Sequence, residues 1–149
     1  MPVKPIPDGF HSVTPELNVQ GAAKLIDFMK QAFGAEEVMR MPGPGGALMH
    51  AEVRIGDSVL MLADAVRDAP IPSSIFLYVK DADAVHRRAV QAGATSVMEP
   101  ADMFWGDRFS RVKDAFGNFW SIATHKEDVP PEEMPKRAAA FMKQMQGGG

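Results

Sequence analysis

The sequence contains no cysteine, and this absence removes several kinds of chemistry. Without a thiol the chain cannot form a disulfide, hold a metal through thiolates or use a cysteine nucleophile. The composition is compatible with a reducing compartment. Any metal site would therefore have to be built from His, Asp and Glu side chains.

The sequence also lacks a long apolar run and a strong excess of either charge. The first residues, "MPVKPIPDGF", have no apolar stretch typical of a signal peptide, and no later segment approaches the roughly 18 apolar residues of a membrane span. A net charge of −3 gives no reason to expect binding to nucleic acid or to an anionic membrane. We therefore expect a cytoplasmic protein with neither kind of partner.

Two stretches of the chain repeat the same order of predicted elements. "NVQGAAKLIDFMKQAFGAEEVM" and "YVKDADAVHRRAVQAGATSVM" each indicate a strand, a helix, a Gly-Ala pair and a second strand. The first strand is predicted over residues 12–19, and Asp81 is predicted to cap the second helix. Between the two stretches, "ALMHAEVRIGDSVLMLAD" predicts two strands joined by a turn at Gly56 and Asp57. We infer an internal duplication of a β-α-β-β-β unit, and hence a fold of the α+β class.

This duplication divides the 149 residues into three parts. The first is an extended, proline-rich arm, the second is the duplicated domain, and the third is an extension with a helix and a flexible tail. We predict the arm at 1–10, the domain at 11–126, its modules at about 11–64 and 73–125, the extension at 127–149, and its helix at about 132–145.

Four motifs in order point to a known family: "AFGAEEVMRM", "MHAEVRIGDSVLMLAD", "WGDRFSRVKDAFGNFWSIATH" and "EDVPPEEM". With them the chain resembles the vicinal oxygen chelate superfamily of glyoxalases, bleomycin resistance proteins and extradiol dioxygenases, and more narrowly its PhnB-like branch. The resemblance implies two βαβββ modules that form a cupped mixed β-sheet with flanking helices. It also implies a homodimer, with cups formed within or across chains.

In metal-dependent members of this superfamily, each of four cup-facing strands supplies one ligand. The resemblance places these positions at Thr14, Met61, Ser74 and Ser121, and none of the four is a strong ligand for a divalent metal. We therefore predict no cofactor and no metal at the usual position. A divalent metal would need a non-standard site.

Strand alternation suggests where such a site would lie. In "MHAEVRI", His50, Glu52 and Arg54 share one face, which we expect in the cup because the other face is apolar. His50 and Glu52 are candidates for sharing a metal or a proton, and Arg54 is a candidate for binding a ligand. The alternative for all three is a row of ion pairs on a sheet face that is partly exposed to solvent. His125 ends the last strand and is either a third functional group or a surface histidine. The same alternation points Trp120 toward the helices.

Aromatic and cationic side chains give the candidates for ligand binding. Phe76 and Tyr78 alternate toward the cup, where they form either an aromatic wall or ordinary packing. In "MFWGDRF", Trp105 is a candidate for stacking on a planar ligand and Arg108 for holding an anion through its planar fork. The alternative is a turn network of Asp107 and Arg108, with Trp105 covering the core.

Three functions remain open from the sequence. The one we favour is a metal-free protein that binds a small organic molecule in the cup, because the usual ligand positions carry no strong ligands. The alternative is a metal-dependent or acid-base enzyme of the lyase, isomerase or dioxygenase type, with a relocated site at His50, Glu52 and His125. The third is a structural or regulatory dimer whose cup is filled by its own side chains.

Overall fold

Two β-α-β-β-β modules follow one another along the chain, as the duplication predicts. The computed structural model describes residues 2–66 and 68–147. The first module contains β1 (Glu16–Val19), α1 (Ala22–Phe33), β2 (Glu36–Pro42), β3 (Leu48–Ile55) and β4 (Ser58–Asp64). The second contains β5 (Ser74–Tyr78), α2 (Ala82–Gln91), β6 (Thr95–Asp102), β7 (Asp107–Lys113) and β8 (Phe119–His125), and α3 (Met134–Gly147) follows it.

Each module forms its own four-stranded mixed sheet. The strand order is β1-β4-β3-β2 in the first sheet and β5-β8-β7-β6 in the second. The pairs β1–β4 and β5–β8 are parallel, and the other neighbours are antiparallel. The two modules therefore have the same topology, which confirms the predicted duplication and the α+β class.

One apolar core lies between the two sheets. Helix α1 packs against β3 and β4, helix α2 packs against β6, β7 and β8, and the two helices contact each other. Leu62 and Ile122 are fully buried in this core, and so is Trp120, whose ring lies 4.8 Å from that of Phe33. The prediction that Trp120 points toward the helices is thus confirmed. The opposite face of each sheet turns away from this core.

The last strand of each module fixes the start of the helix of that module. At the end of β4, the Asp64 carboxylate accepts hydrogen bonds from the backbone N–H groups of Gly21 and Ala22, at 2.8 and 2.9 Å. On β8, the Thr124 hydroxyl accepts one from the N–H of Ala82 at 2.8 Å. These N–H groups have no partner within their helices, so each contact ties a helix to its own sheet.

Some element boundaries differ from the prediction. We expected the first strand from residue 12, but β1 begins at Glu16, directly after Pro15, which has no N–H to donate to a neighbouring strand. The last helix begins at Met134 and is shifted by two residues. The predicted cap of α2 is present, because the Asp81 side chain accepts a hydrogen bond from the N–H of Ala84 at 3.1 Å. No helix in the described parts of the chain combines the length and apolarity needed to cross a membrane.

The turn between β7 and β8 is organised by the carboxylate of Asp114, which is buried. Its Oδ1 accepts hydrogen bonds from the backbone N–H groups of Phe116 and Asn118, at 2.8 and 2.9 Å. Its Oδ2 accepts from the Asn118 side-chain amide at 3.0 Å and from the Trp120 indole at 2.8 Å. Gly117 completes the turn with a φ of 92°, which favours glycine. The motif "DAFGNFW" therefore connects the hairpin to the core through one side chain.

Replacing Asp114 with alanine should destabilise the protein strongly. The Asp114→Ala change leaves the buried Asn118 and Trp120 donors without an acceptor, and we expect a loss of about 3 kcal/mol in the free energy of unfolding. Urea denaturation followed by circular dichroism measures this loss. Asp27→Ala, on the exposed side of α1, is the control and should change stability by less than about 0.5 kcal/mol. A comparable effect of both substitutions would contradict the assigned role of Asp114.

Candidate functional site

The second sheet has one face that points away from the helices, and we call it the second-sheet face. Alternation along β5, β7 and β8 places every second side chain on this face. It carries the predicted residues of β5 and β8 together with side chains of β7. The members used below are Phe76 and Tyr78 from β5, Phe109, Arg111 and Lys113 from β7, and Phe119, Ser121 and Ala123 from β8.

An aromatic row crosses the second-sheet face. The rings of Phe76 and Tyr78 lie 5.0 Å apart between centroids, and Phe76 lies 5.8 Å from Phe109. Phe109 in turn contacts Trp105 at 5.6 Å, and Trp105 contacts Phe104 at 5.1 Å. Phe76 and Tyr78 nevertheless remain 47% and 63% exposed. Large exposed aromatic side chains grouped in this way mark interaction sites more often than scattered apolar ones do.

Small residues of β8 lie between the large residues of β5 and β7. Ser121 pairs with Phe76 on one side and with Arg111 on the other, and Ala123 pairs with Tyr78 and Phe109. Ser121 and Ala123 are both buried beneath these neighbours. The second-sheet face is therefore a shallow trough with small residues along its floor.

A buried carboxylate, that of Asp107, lies at one end of the trough. It accepts hydrogen bonds from the Tyr78 hydroxyl, the Trp105 indole and the Nδ1 of His125, each at 2.9 Å. The Nε2 of His125 donates to the exposed Asp128 at 2.7 Å. Three of the predicted functional residues, Tyr78, Trp105 and His125, are thus connected through Asp107.

These contacts shift the pKa values of the groups involved. Burial alone would raise the pKa of Asp107, but the hydrogen bonds from His125, Tyr78 and Trp105 outweigh it and hold the pKa below its usual value. Donation to the Asp107 carboxylate raises the pKa of Tyr78. Asp128, and then Asp107, raise the pKa of His125. The arrangement favours an ionised Asp107, a neutral Tyr78 and a protonated His125.

The other predicted polar residues lie on the first sheet. On β3, the Nε2 of His50 lies 2.9 Å from the Oε2 of Glu52, and both side chains are partly buried. Arg54 lies 3.7 Å from Glu36 on the neighbouring strand. The structure therefore brings His50 and Glu52 together, whereas His125 belongs to the other sheet.

Arg108 is already held by carboxylates. Its Nε and Nη2 donate to the two oxygens of Asp83, each at 3.0 Å, and its Nη1 lies 3.5 Å from Asp102. The contact with Asp83 raises the pKa of Arg108. The Arg108 guanidinium therefore links β7 to the first turn of α2. The residues that sequence reasoning missed are Phe109 and Arg111, although the alternation of "DRFSRVK" places both on the same face of β7 as Asp107.

The four positions that the resemblance assigns to metal ligands lie on or next to strands of both sheets. Thr14 precedes β1, Met61 lies on β4, Ser74 begins β5 and Ser121 is buried on β8. Three hydroxyls and a thioether are weak ligands for a divalent metal. Within residues 2–66 and 68–147, no three His, Asp or Glu side chains are grouped so as to hold a metal ion.

An open cleft of about 1200 Å³ is lined by residues of both modules. One wall is formed by residues 10–15 and the turn between β3 and β4, and the other by β5 and the first turns of α2. Phe76, Tyr78 and His125 line this cleft. The cleft and the second-sheet face therefore meet along β5.

The contact with Asp128 should be visible in the titration of His125. Because the pKa of His125 is raised above its ordinary value of 6.5, its contribution to stability is fully present below that pH and is lost as the pH rises through the folded-state pKa. We expect Asp128→Ala to lower this pKa, measured by NMR from the His125 ring protons. Glu132→Ala, an exposed acid in the same extension, is the control. An unchanged pKa in Asp128→Ala would contradict the assigned contact.

Comparison with known proteins identifies relatives of this chain. An uncharacterized protein of Mycobacterium bovis is 39% identical over 135 residues, which cover 83% of this chain and 89% of that protein. Protein YjdN of Escherichia coli is 34% identical over 92 residues, or 58% of this chain and 63% of that protein.

Solved structures show the same fold. TioX from Micromonospora sp. ML1 has a TM-score of 0.67 at 24% identity, covering 77% of this chain and 98% of that one. The PhnB protein from Bacillus cereus has a TM-score of 0.60 at 16% identity, and the match covers 76% of this chain and 99% of that one. The family model of the Glyoxalase/Bleomycin resistance protein/Dioxygenase superfamily matches residues 9–122. With its duplicated modules and these relatives, the chain belongs to the glyoxalase/bleomycin resistance protein/dioxygenase superfamily.

Proposed function

We propose that this protein binds a small organic molecule whose rings stack on the second-sheet face. The observation that carries the proposal is the exposure of Phe76 and Tyr78, two adjacent aromatic side chains on a β-strand. Their rings rest against each other and Phe76 also rests against Phe109, so little side-chain freedom is lost when a ligand covers them. A planar ligand is therefore the best fit to this surface.

The contribution of this stacking can be bounded. Covering the exposed parts of both rings should stabilise a complex by about 2 to 3 kcal/mol, which corresponds to roughly a hundredfold in affinity. The adjoining cleft supplies space for the rest of the ligand, since its volume exceeds the roughly 300 to 1,000 Å³ of a typical small-molecule site. We propose that the ligand extends from Phe76 and Tyr78 into this cleft.

The family description names both bleomycin resistance proteins and dioxygenases, so membership alone leaves binding and catalysis open. The site favours binding, because its exposed groups are aromatic and its buried carboxylate already has three donors. We further propose a homodimer, as the resemblance implies.

The alternative function has less support. It requires His50, Glu52 and His125 to act together, as a metal site or as an acid-base group. His50 and Glu52 form a pair on β3 of the first sheet. His125 forms its hydrogen bonds with Asp107 and Asp128 beside the second. A shared site would need these three side chains within contact of one another.

A neutral fluorescent probe tests the proposed binding surface. N-phenyl-1-naphthylamine gains fluorescence in apolar surroundings, and we expect it to bind the wild-type protein. Phe76→Ala should weaken this binding about tenfold, because it removes the central ring of the aromatic row. Val38→Ala, at a side chain 45% exposed on β2 of the first sheet, is the matched control and should leave the affinity unchanged. No binding, or equal binding by both variants, would refute the proposal.

A further inference from the structure

Among the described residues, Arg111 on the second-sheet face has no carboxylate partner. The guanidinium carbon of Arg111 lies 4.3 Å from the centre of the Phe119 ring, in a cation-π contact. Within the described part of the chain, its Nε is buried and has no hydrogen-bond partner. A buried N–H group without an acceptor is destabilising, so its presence here calls for a reason.

The other arginines on the described strands are paired with carboxylates. Arg40 lies 2.8 Å from Glu37, Arg54 lies 3.7 Å from Glu36, and Arg108 is held by Asp83. Among the described residues, Arg111 is the strand arginine without such a pair. Within the described residues, no carboxylate therefore holds the guanidinium of this half-buried arginine.

The surroundings of Arg111 are suited to an anionic group attached to a ring. Lys113 brings a second cation to 5.5 Å from the Phe119 ring. Ser121 lies between Arg111 and Phe76 in the register of the sheet. The buried acid of this face, Asp107, lies at the opposite end and is occupied by its own three donors. The Arg111 end of the trough is thus positive, and the aromatic row begins next to it.

The first sheet lacks this arrangement. Met61 on β4 corresponds to Ser121 on β8, and the residue paired with Met61 on β3 is Glu52. Glu52 therefore occupies in the first module the position that Arg111 occupies in the second. An anion would be repelled at that position and attracted at this one.

We infer that the ligand is an aromatic organic anion, whose carboxylate or sulfonate is bound by Arg111 while its rings lie on Phe76 and Phe109. This inference rests on the proposed function and specifies its ligand class. A guanidinium stacked on a ring is fixed in orientation and presents its N–H fork to a planar or tetrahedral anionic group. Lys113 adds a second positive charge without fixing the geometry.

Two probes that differ by one sulfonate test the inference. 8-Anilino-1-naphthalenesulfonate is N-phenyl-1-naphthylamine with a sulfonate added, so their affinities for one site isolate the effect of the charge. We expect the wild-type protein to bind the sulfonate at least tenfold more tightly. Arg111→Met should abolish this preference and leave the affinity for the neutral probe within about twofold. Arg54→Met, on the first sheet, is the matched control and should preserve the preference.

Stability and assembly separate a binding role of Arg111 from a structural one. Methionine keeps an apolar stem over Phe119 and removes the unpartnered Nε, so the melting temperature of unliganded Arg111→Met should equal or exceed that of the wild type. A lower melting temperature together with equal weakening of both probes would show that Arg111 is structural. Dissociation of an oligomer on size-exclusion chromatography would show that it pairs with an acid of another chain.

The two proposals fail in different ways. Equal affinity of the wild type for both probes, unchanged by Arg111→Met but reduced by Phe76→Ala, would overturn the anion assignment and leave the binding surface in place. Failure of the wild type to bind the neutral probe would overturn both proposals.

Discussion

The contact between α1 and α2 is the constraint on which the rest of the structure depends. Leu25, Ile26 and Met29 of α1 and Val85 and Ala89 of α2 are buried in one core with the inner faces of both sheets. Each helix therefore covers the sheet of its own module on one side only. The outer face of each sheet has no helix of its module over it, and this is why aromatic and charged side chains of β5, β7 and β8 are accessible.

Accessibility alone does not make a binding surface, and the carboxylate of Asp107 supplies the order that the proposed binding requires. Its three hydrogen bonds hold Tyr78 from β5, Trp105 from the loop before β7 and His125 from β8. Side chains from three segments are thereby held in place by one carboxylate. A site whose groups are held in place loses less conformational entropy on binding. The buried position of Asp107 strengthens these contacts because they are shielded from water.

The C-terminal extension reaches this network through a close approach to Gly106. The backbone N–H groups of Lys126 and Glu127 donate to the Gly106 carbonyl, at 2.8 and 3.0 Å. Gly106 has a φ of 104°, and a Cβ there would overlap the carbonyl oxygen of Glu127. Arg137 of α3 then donates to the carbonyl of Phe104 at 3.3 Å and to Glu127 at 2.7 Å. These contacts bring Asp128 next to His125 and connect α3 to the end of the aromatic row.

The local pattern of the sequence determined much of this protein. Helical spacing and the Asp81 cap predicted the helices, alternation predicted the faces of the strands, and the repeated order of elements predicted two equal modules. These features depend on neighbours within a few residues, so a single sequence is enough to find them. The predicted start of β1 was wrong, because Pro15 limits hydrogen bonding to a partner strand that a single sequence does not reveal.

Only the tertiary structure decided which charged residues are free. Arg108 and Arg111 lie three residues apart on one strand, and the sequence favoured Arg108 for anion binding. The fold brings Asp83, distant in sequence, against Arg108 and brings no carboxylate to Arg111 within the described residues. Likewise, His50 and Glu52 pair on one sheet while His125 is held by Asp107 beside the other. Ion pairs form between side chains that packing brings together, whatever their separation along the chain, so the pattern of β7 alone could not show which arginine remained available.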